Sequence, residues 1–122
     1  SEVEETVENV TKFKEENLQA VYQGMYLVTN GSHGTLRTAF NDLPVKVAAK
    51  TGTAEEDKNR SSHTWFVCFA PFDDPQIAIT VMIPFGEGSG TPAPAVAKAI
   101  IREYLGLDYT PTNTTMQTVL AE

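Results

Sequence analysis

The most informative stretch of the chain is Val45-Lys46-Val47-Ala48-Ala49-Lys50-Thr51-Gly52-Thr53-Ala54-Glu55. Its first part alternates apolar with other side chains, which favours a β-strand. A polar run follows, and the almost wholly apolar run Thr64 to Ala70 predicts a second strand that is covered on both faces. Gln76 to Ile83 predicts a third strand. The short connection between the second and third strands favours an antiparallel pair.

Two helices are predicted, one on each side of these strands in the sequence. Glu15 to Thr29 has an apolar stripe at helical spacing, and Asn30-Gly31 is expected to end this helix with Gly31 in the left-handed conformation. Ala93 to Leu105 is the second helix, with a proline in its first turn and Gly106 at its end. Leu36 to Phe40 is interpreted as a further short strand. The stripe of the first helix consists of Leu18, Val21, Tyr22, Met25, Tyr26 and Val28.

The order of these elements predicts an α+β fold, in which an antiparallel sheet of three to four strands packs against an N-terminal and a C-terminal helix. The chain has 122 residues and a formal net charge of -7, without a basic stripe, so no nucleic-acid partner is expected. Its single cysteine, Cys68, excludes an internal disulfide and a multi-cysteine zinc site, and is expected to be a buried, inert thiol. No metal or other cofactor is predicted. No run of about 18 apolar residues is present, so no transmembrane helix is expected.

Several stretches together resemble the class B penicillin-binding proteins, which are D,D-transpeptidases. Val47 to Glu55 resembles the Lys-Thr-Gly strand of that family. His63 to Pro71 and Asp74 to Ile79 resemble its next two strands. Gly24-Met25, followed by Gly34-Thr35, matches the helix and loop that precede the motif. The chain is therefore expected to be the C-terminal portion of a single transpeptidase domain.

The resemblance covers about Glu15 to Leu105, so the domain is taken as residues 1–122 with a core at 15–105 and a loosely ordered tail at 107–122. The family cross-links cell-wall stem peptides through a serine acyl-enzyme and binds β-lactams. Its nucleophile lies in a Ser-x-x-Lys motif, and a Ser-x-Asn motif completes the cleft. None of the serines here begins either motif: Ser1, Ser32, Ser61, Ser62 and Ser89.

The resemblance therefore implies partners that complete the cleft. They are the N-terminal portion of the same transpeptidase with both missing motifs, the peptidoglycan stem peptide, and β-lactams. Without that portion the chain is expected to be inactive. The implied location is the extracytoplasmic face of the bacterial cell membrane.

The resemblance also assigns roles to the motif residues. The hydroxyls of Thr51 and Thr53, two apart on a strand, face the same way and hold the substrate or β-lactam carboxylate. Lys50 adds positive potential and meets the serine of Ser-x-Asn. Gly52 lets a ligand approach the backbone. The amide of Thr53 is one donor of the oxyanion hole, so Lys50 and Thr53 are the predicted catalytic residues.

Two other functions remain open from the sequence. The chain is alternatively a non-catalytic module that binds peptidoglycan or a partner protein. A β-lactamase piece is the third interpretation, and the Gly-Met helix and the His-Thr-Trp-Phe strand favour the transpeptidases over it. An apolar face without cover inside the chain would distinguish a transpeptidase piece from a free-standing module.

Overall fold

The structure is a computed structural model that describes residues 11–55, 61–86 and 92–107. The strands form an antiparallel sheet in the order β1-β2-β3, so the predicted α+β fold is confirmed, with three strands in the described part of the chain. The predicted tail from residue 108 onward lies outside the described residues. The elements are, in chain order, α1 (Glu15–Asn30), β1 (Ala48–Ala54), β2 (His63–Ala70), β3 (Ile77–Ile83) and α2 (Ala93–Tyr104).

The core lies between the sheet and α2. Phe66 and Cys68 of β2 are buried on this side, together with Ala97 and Ile101 of α2. The ring of Phe40, in the turns before β1, stacks on Phe66 with 6.2 Å between the ring centroids. We call this side of the sheet the α2 face. By the strand register it also carries Thr51, Thr53, Ile79 and Val81.

The opposite side of the sheet, here called the α1 face, is only partly covered. Tyr22 of α1 contacts Phe69 near one end of β2, with 5.4 Å between the ring centroids. Further along the same face, Trp65, Val67 and Met82 are 41%, 37% and 45% exposed. The prediction that β2 is covered on both faces is therefore wrong within the described chain, because α1 reaches only the Phe69 end.

The apolar stripe of α1 is likewise only partly covered by the described residues: Leu18, Met25, Tyr26 and Val28 are half-buried, whereas Val21 and Tyr22 are exposed. Thr29 is the buried residue of this helix, whereas Val21 and Leu27 are exposed. Tyr26 is half-buried against Phe72, at a ring-centroid distance of 4.6 Å. The stripe therefore predicts the helix correctly, but the described residues bury it only in part.

Two local predictions are wrong for reasons of backbone geometry. The segment from Leu36 to Phe40 forms turns, because the amides of Leu36 and Ala39 donate to the carbonyls of Val28 and Leu36, each at 3.0 Å. Gly31 has a φ of -75°, not the predicted left-handed value. A Cβ at Gly31 would stand 2.6 Å from the Leu27 carbonyl oxygen, so glycine is required there by close packing.

Two ion pairs link helix α2 to Asp42, which lies in the turns before β1. Lys98 Nζ lies 2.7 Å from an Asp42 carboxylate oxygen, and Arg102 lies 3.6 Å from the other oxygen. The hydrogen bond from Lys98 holds the pKa of Asp42 below its usual value.

Gly106, with a φ of 61°, follows the end of α2 at Tyr104, as the sequence predicts.

Candidate active site

The Lys-Thr-Gly motif lies in the middle of β1, at the edge of the sheet in its described part. The pairing with β2 is continuous through the motif: Thr51 is opposite Phe66, and Gly52 is opposite Trp65. There is therefore no β-bulge at Gly52. Because half of the backbone donors and acceptors of an edge strand face away from its neighbour, the motif offers main-chain hydrogen bonds as well as side chains.

The side chains of the motif alternate between the two faces of the sheet. Thr51 and Thr53 belong to the α2 face, where Thr51 is half-buried and Thr53 is exposed. Lys50 and Gly52 belong to the α1 face, and both are exposed. The two threonines share a face, as expected for residues two apart. The hydroxyls and the ammonium can therefore meet only around the open edge of the strand.

The side chain of Lys50 does curl back onto the strand. Its Nζ donates a hydrogen bond to the carbonyl oxygen of Thr51 at 2.8 Å. An ammonium has three N–H donors, so two remain for other acceptors at this exposed position. Such donors make charge-assisted hydrogen bonds to a carboxylate, which are about twice as strong as those between neutral groups.

The fold itself does not require a glycine at position 52. A Cβ there would meet only the Cβ of Trp65, at 3.7 Å, which is an ordinary contact, and the φ of Gly52 lies outside the left-handed region. A missing side chain in a strand marks a place where a ligand or another backbone can approach closely. The open space over Gly52 suits such an approach.

Three residues border the motif. Trp65 lies on the same face as Lys50 and Gly52 and is exposed. Glu55 is exposed just after β1. His63 lies opposite Ala54, and its Nδ1 accepts a hydrogen bond from the backbone N–H of Phe85 at 3.2 Å. His63 therefore attaches the turn after β3 to the end of β2 nearest to Thr53.

Sequence reasoning missed a contact that anchors β1. The hydroxyl of Thr29 donates to the carbonyl of Val47, and Asn30 Nδ2 lies 2.9 Å from the same oxygen. The sequence indicates Asn30 only as part of the signal that ends α1. No local sequence pattern predicts a hydrogen bond between residues that are 17 positions apart.

The described residues contain no group of three or more His, Cys, Asp or Glu side chains that could hold a metal ion. No helix in the described ranges is both long enough and apolar enough to cross a membrane.

Comparisons with known proteins agree on one family. Residues 2–102 match the family described as the penicillin binding protein transpeptidase domain. The peptidoglycan D,D-transpeptidase MrdA of Haemophilus influenzae is 34% identical over 71% of this chain and 16% of its own length. Penicillin-binding protein 2B of Streptococcus pneumoniae is 32% identical over 84% of this chain and 16% of its own length.

Solved structures give the same result. PBP2 of Pseudomonas aeruginosa superimposes with a TM-score of 0.69 at 34% identity, over 82% of this chain and 21% of that one. Penicillin-binding protein 2B of Streptococcus pneumoniae gives 0.70 at 32% identity, over 88% of this chain and 18% of that one. The chain thus spans 16% of the length of both curated relatives. It belongs to the penicillin-binding protein transpeptidase family.

Proposed function

We propose that this chain is the C-terminal segment of a peptidoglycan D,D-transpeptidase and forms the Lys-Thr-Gly wall of its penicillin-binding cleft. In this proposal the N-terminal portion of the same protein supplies Ser-x-x-Lys and Ser-x-Asn. The assembled enzyme cross-links stem peptides on the extracytoplasmic face of the bacterial membrane. The observation that carries the proposal is that Lys50, Thr51, Gly52 and Thr53 lie on an open edge strand, with a glycine that the fold does not need.

Each motif residue has a chemical task at that edge. The hydroxyls of Thr51 and Thr53 donate to the carboxylate of the substrate or β-lactam, and Lys50 supplies the positive charge. Gly52 leaves room for the ligand to lie along the strand. The amide of Thr53 donates to the oxyanion that forms when the serine attacks. Loss of one such donor typically costs a factor of about 10²–10³ in rate.

Exposed apolar side chains on the α1 face support the proposal that an N-terminal portion binds there. Trp65, Val67 and Met82 form an exposed apolar patch beside the motif, and exposed patches of this kind mark interaction sites. Val21 and Leu27 of α1 add further exposed apolar side chains. The chain spans 16% of the length of its curated relatives. The remainder of such a protein is an occupant of sufficient size, so we propose that the N-terminal portion covers this face.

A labelled penicillin tests the whole proposal. The serine Oγ bonds to the β-lactam carbonyl carbon, the ring C–N bond breaks, and the nitrogen takes a proton. The adduct therefore adds the full mass of the drug. We expect intact-mass analysis to find this adduct on the N-terminal portion when the two segments are purified together, and none on this chain alone. A folded, monomeric chain that binds no N-terminal portion would favour the free-standing binding module instead.

A charge placed on the α1 face tests the proposed interface separately. Val67→Asp puts a carboxylate in the middle of the exposed patch and should prevent co-purification of the N-terminal portion. Thr38→Asp adds the same charge at an exposed position in the turns before β1 and is the matched control. Equal co-purification of both variants would place the interface elsewhere.

A further inference from the structure

The motif strand is attached to α1 through the carbonyl oxygen of Val47. Val47 is buried and immediately precedes β1. Its oxygen accepts a hydrogen bond from the Thr29 hydroxyl, and Asn30 Nδ2 lies 2.9 Å from it. Because a carbonyl oxygen has two lone pairs, the two side chains can bind it at the same time.

Both donors are held in place by their own helix. Asn30 Nδ2 lies 3.1 Å from the carbonyl oxygen of Tyr26 and 3.0 Å from Oγ1 of Thr29. Thr29 is buried, and its Oγ1 can accept the hydrogen bond from Asn30 Nδ2 while its own hydrogen is donated to Val47. Side chains fixed in this way cannot follow the Val47 carbonyl if it moves. The contact therefore sets the position of Val47 relative to the last turn of α1.

The position of Val47 affects the motif because β1 is paired on one side only in the described sheet. Its pairing with β2 fixes the register, but no strand among the described residues pairs with the opposite edge and resists a tilt. Lys50 follows Val47 by three residues, about 10 Å along an extended strand. A tilt that starts at Val47 therefore also moves Lys50 and Thr53, although the pairing of β1 with β2 reduces the displacement.

We propose that Thr29 and Asn30 are positioning residues for the acylation reaction, and that they act on Lys50 and Thr53 through the Val47 carbonyl. This proposal rests on the proposed function, since it needs the assembled transpeptidase. Misplacement of reacting groups by about 1 Å can cost on the order of a hundredfold in rate. β2 still holds the register, so the expected loss is smaller, about tenfold.

A matched pair of variants tests the proposal in the assembled enzyme. Thr29→Val keeps the shape and burial of the side chain but removes the donor, whereas Thr29→Ser keeps the hydroxyl. We expect Thr29→Val to lower the rate of acylation at saturating labelled penicillin about tenfold, and Thr29→Ser to restore most of it. Rates are measured well below the unfolding midpoint of each variant, where a purely structural effect would not change the rate of folded molecules.

Two further variants complete the design. Asn30→Asp removes the amide donor at a half-buried position and provides a second test if Thr29→Val does not fold. Gln19→Glu is the control, because the Gln19 amide donates within α1 to Glu15 and the side chain is exposed. Acylation of Asn30→Asp or Thr29→Val at the rate of the unmodified enzyme would overturn the positioning role. An unmodified assembly that is not acylated at all would instead overturn the proposed function and the inference with it.

Discussion

Gly52 lies directly across the β1–β2 ladder from Trp65, and a methyl group on Gly52 would stand 3.7 Å from the Cβ of Trp65. This distance is an ordinary van der Waals contact, so the sheet can accept alanine at position 52 without repacking. The residue that is central to the motif can thus be changed without disturbing the fold. Stability and acylation can therefore be measured separately at this position.

Gly52→Ala should leave the protein folded and slow its reaction with penicillin. Alanine loses less backbone entropy than glycine, so the free energy of unfolding should stay the same or rise by up to about 1 kcal/mol. The added methyl group lies where a ligand approaches the strand, and we expect acylation of the assembled protein to fall on the order of tenfold to a hundredfold. Thr38→Ala, at an exposed position in the turns before β1, is the control and should not affect acylation. Equal acylation of both variants would remove Gly52 from the ligand site.

Lys50→Ala should lower the acylation rate while the thermal midpoint stays unchanged. Lys50 is exposed, and its side chain hydrogen-bonds only to the carbonyl of Thr51 among the described residues, so the fold does not depend on it. Hydrogen bonds to charged groups contribute about 1.5–3 kcal/mol, which corresponds to roughly a 10- to 150-fold change in rate. Lys46→Ala removes an equally exposed lysine just before β1 and is the matched control. The prediction fails if both variants react alike in a stopped-flow or gel assay with labelled penicillin.

Thr53→Val should weaken recognition of the ligand carboxylate. Valine has the shape of threonine and suits a strand, so the change removes the hydroxyl and little else. We expect a loss of about tenfold in the second-order acylation rate, in line with one charge-assisted hydrogen bond. Thr51→Val should behave similarly from the same face. Thr38→Val, at an exposed position in the turns before β1, serves as the control. A normal rate for Thr53→Val would mean that another group binds the carboxylate.

Cys68 should be unreactive in the folded chain over a wide pH range. Its side chain is buried in the core, and burial raises the pKa of its thiol to about 12. Because the thiolate is the reactive form, raising the pH from 7 to 10 should accelerate alkylation of the unfolded chain through its ordinary pKa of about 8.5. The folded chain should show almost no such acceleration. Mass spectrometry after timed maleimide treatment, with and without denaturant, measures both rates. Rapid labelling of the folded chain below pH 9 would show that the α2 face opens.

The sequence predicts the motif strand because its signals are local, although β1 begins at Ala48 and not at Val45, where the predicted strand starts. Thr51 and Thr53 alternate with Lys50 and Gly52, and period-2 alternation follows directly from the geometry of a strand. Helix α1 is predicted to within one residue of its observed end at Asn30, since apolar spacing and a glycine after the last turn are short-range features. These signals depend only on the residues that form the element.

The wrong predictions concern contacts between distant residues. Apolar side chains at Val67 and Trp65 indicate burial, but sequence cannot say whether the cover belongs to the same segment of chain. Glycine is needed at position 31 because it packs closely on Leu27, and not because its φ is left-handed. Either requirement favours glycine, so the sequence alone does not distinguish them. The contact of Asn30 with Val47 depends on how α1 docks on β1, which no local pattern specifies. The roles of Lys50, Thr51, Gly52 and Thr53 in binding stay predictions until the variants are measured.

The meander order β1-β2-β3 has a consequence for the way this segment folds. Each strand pairs with its neighbour in sequence, and α2, the next element in the described chain, packs on β3. Short-range pairing of this kind closes small loops, and a low contact order is associated with fast folding. We therefore expect the sheet and α2 to form a cooperative unit early in the folding of this segment. Under the proposed function, the α1 face is then a preformed platform for the N-terminal portion, and the docking rate depends on concentration only when the two segments are separate molecules.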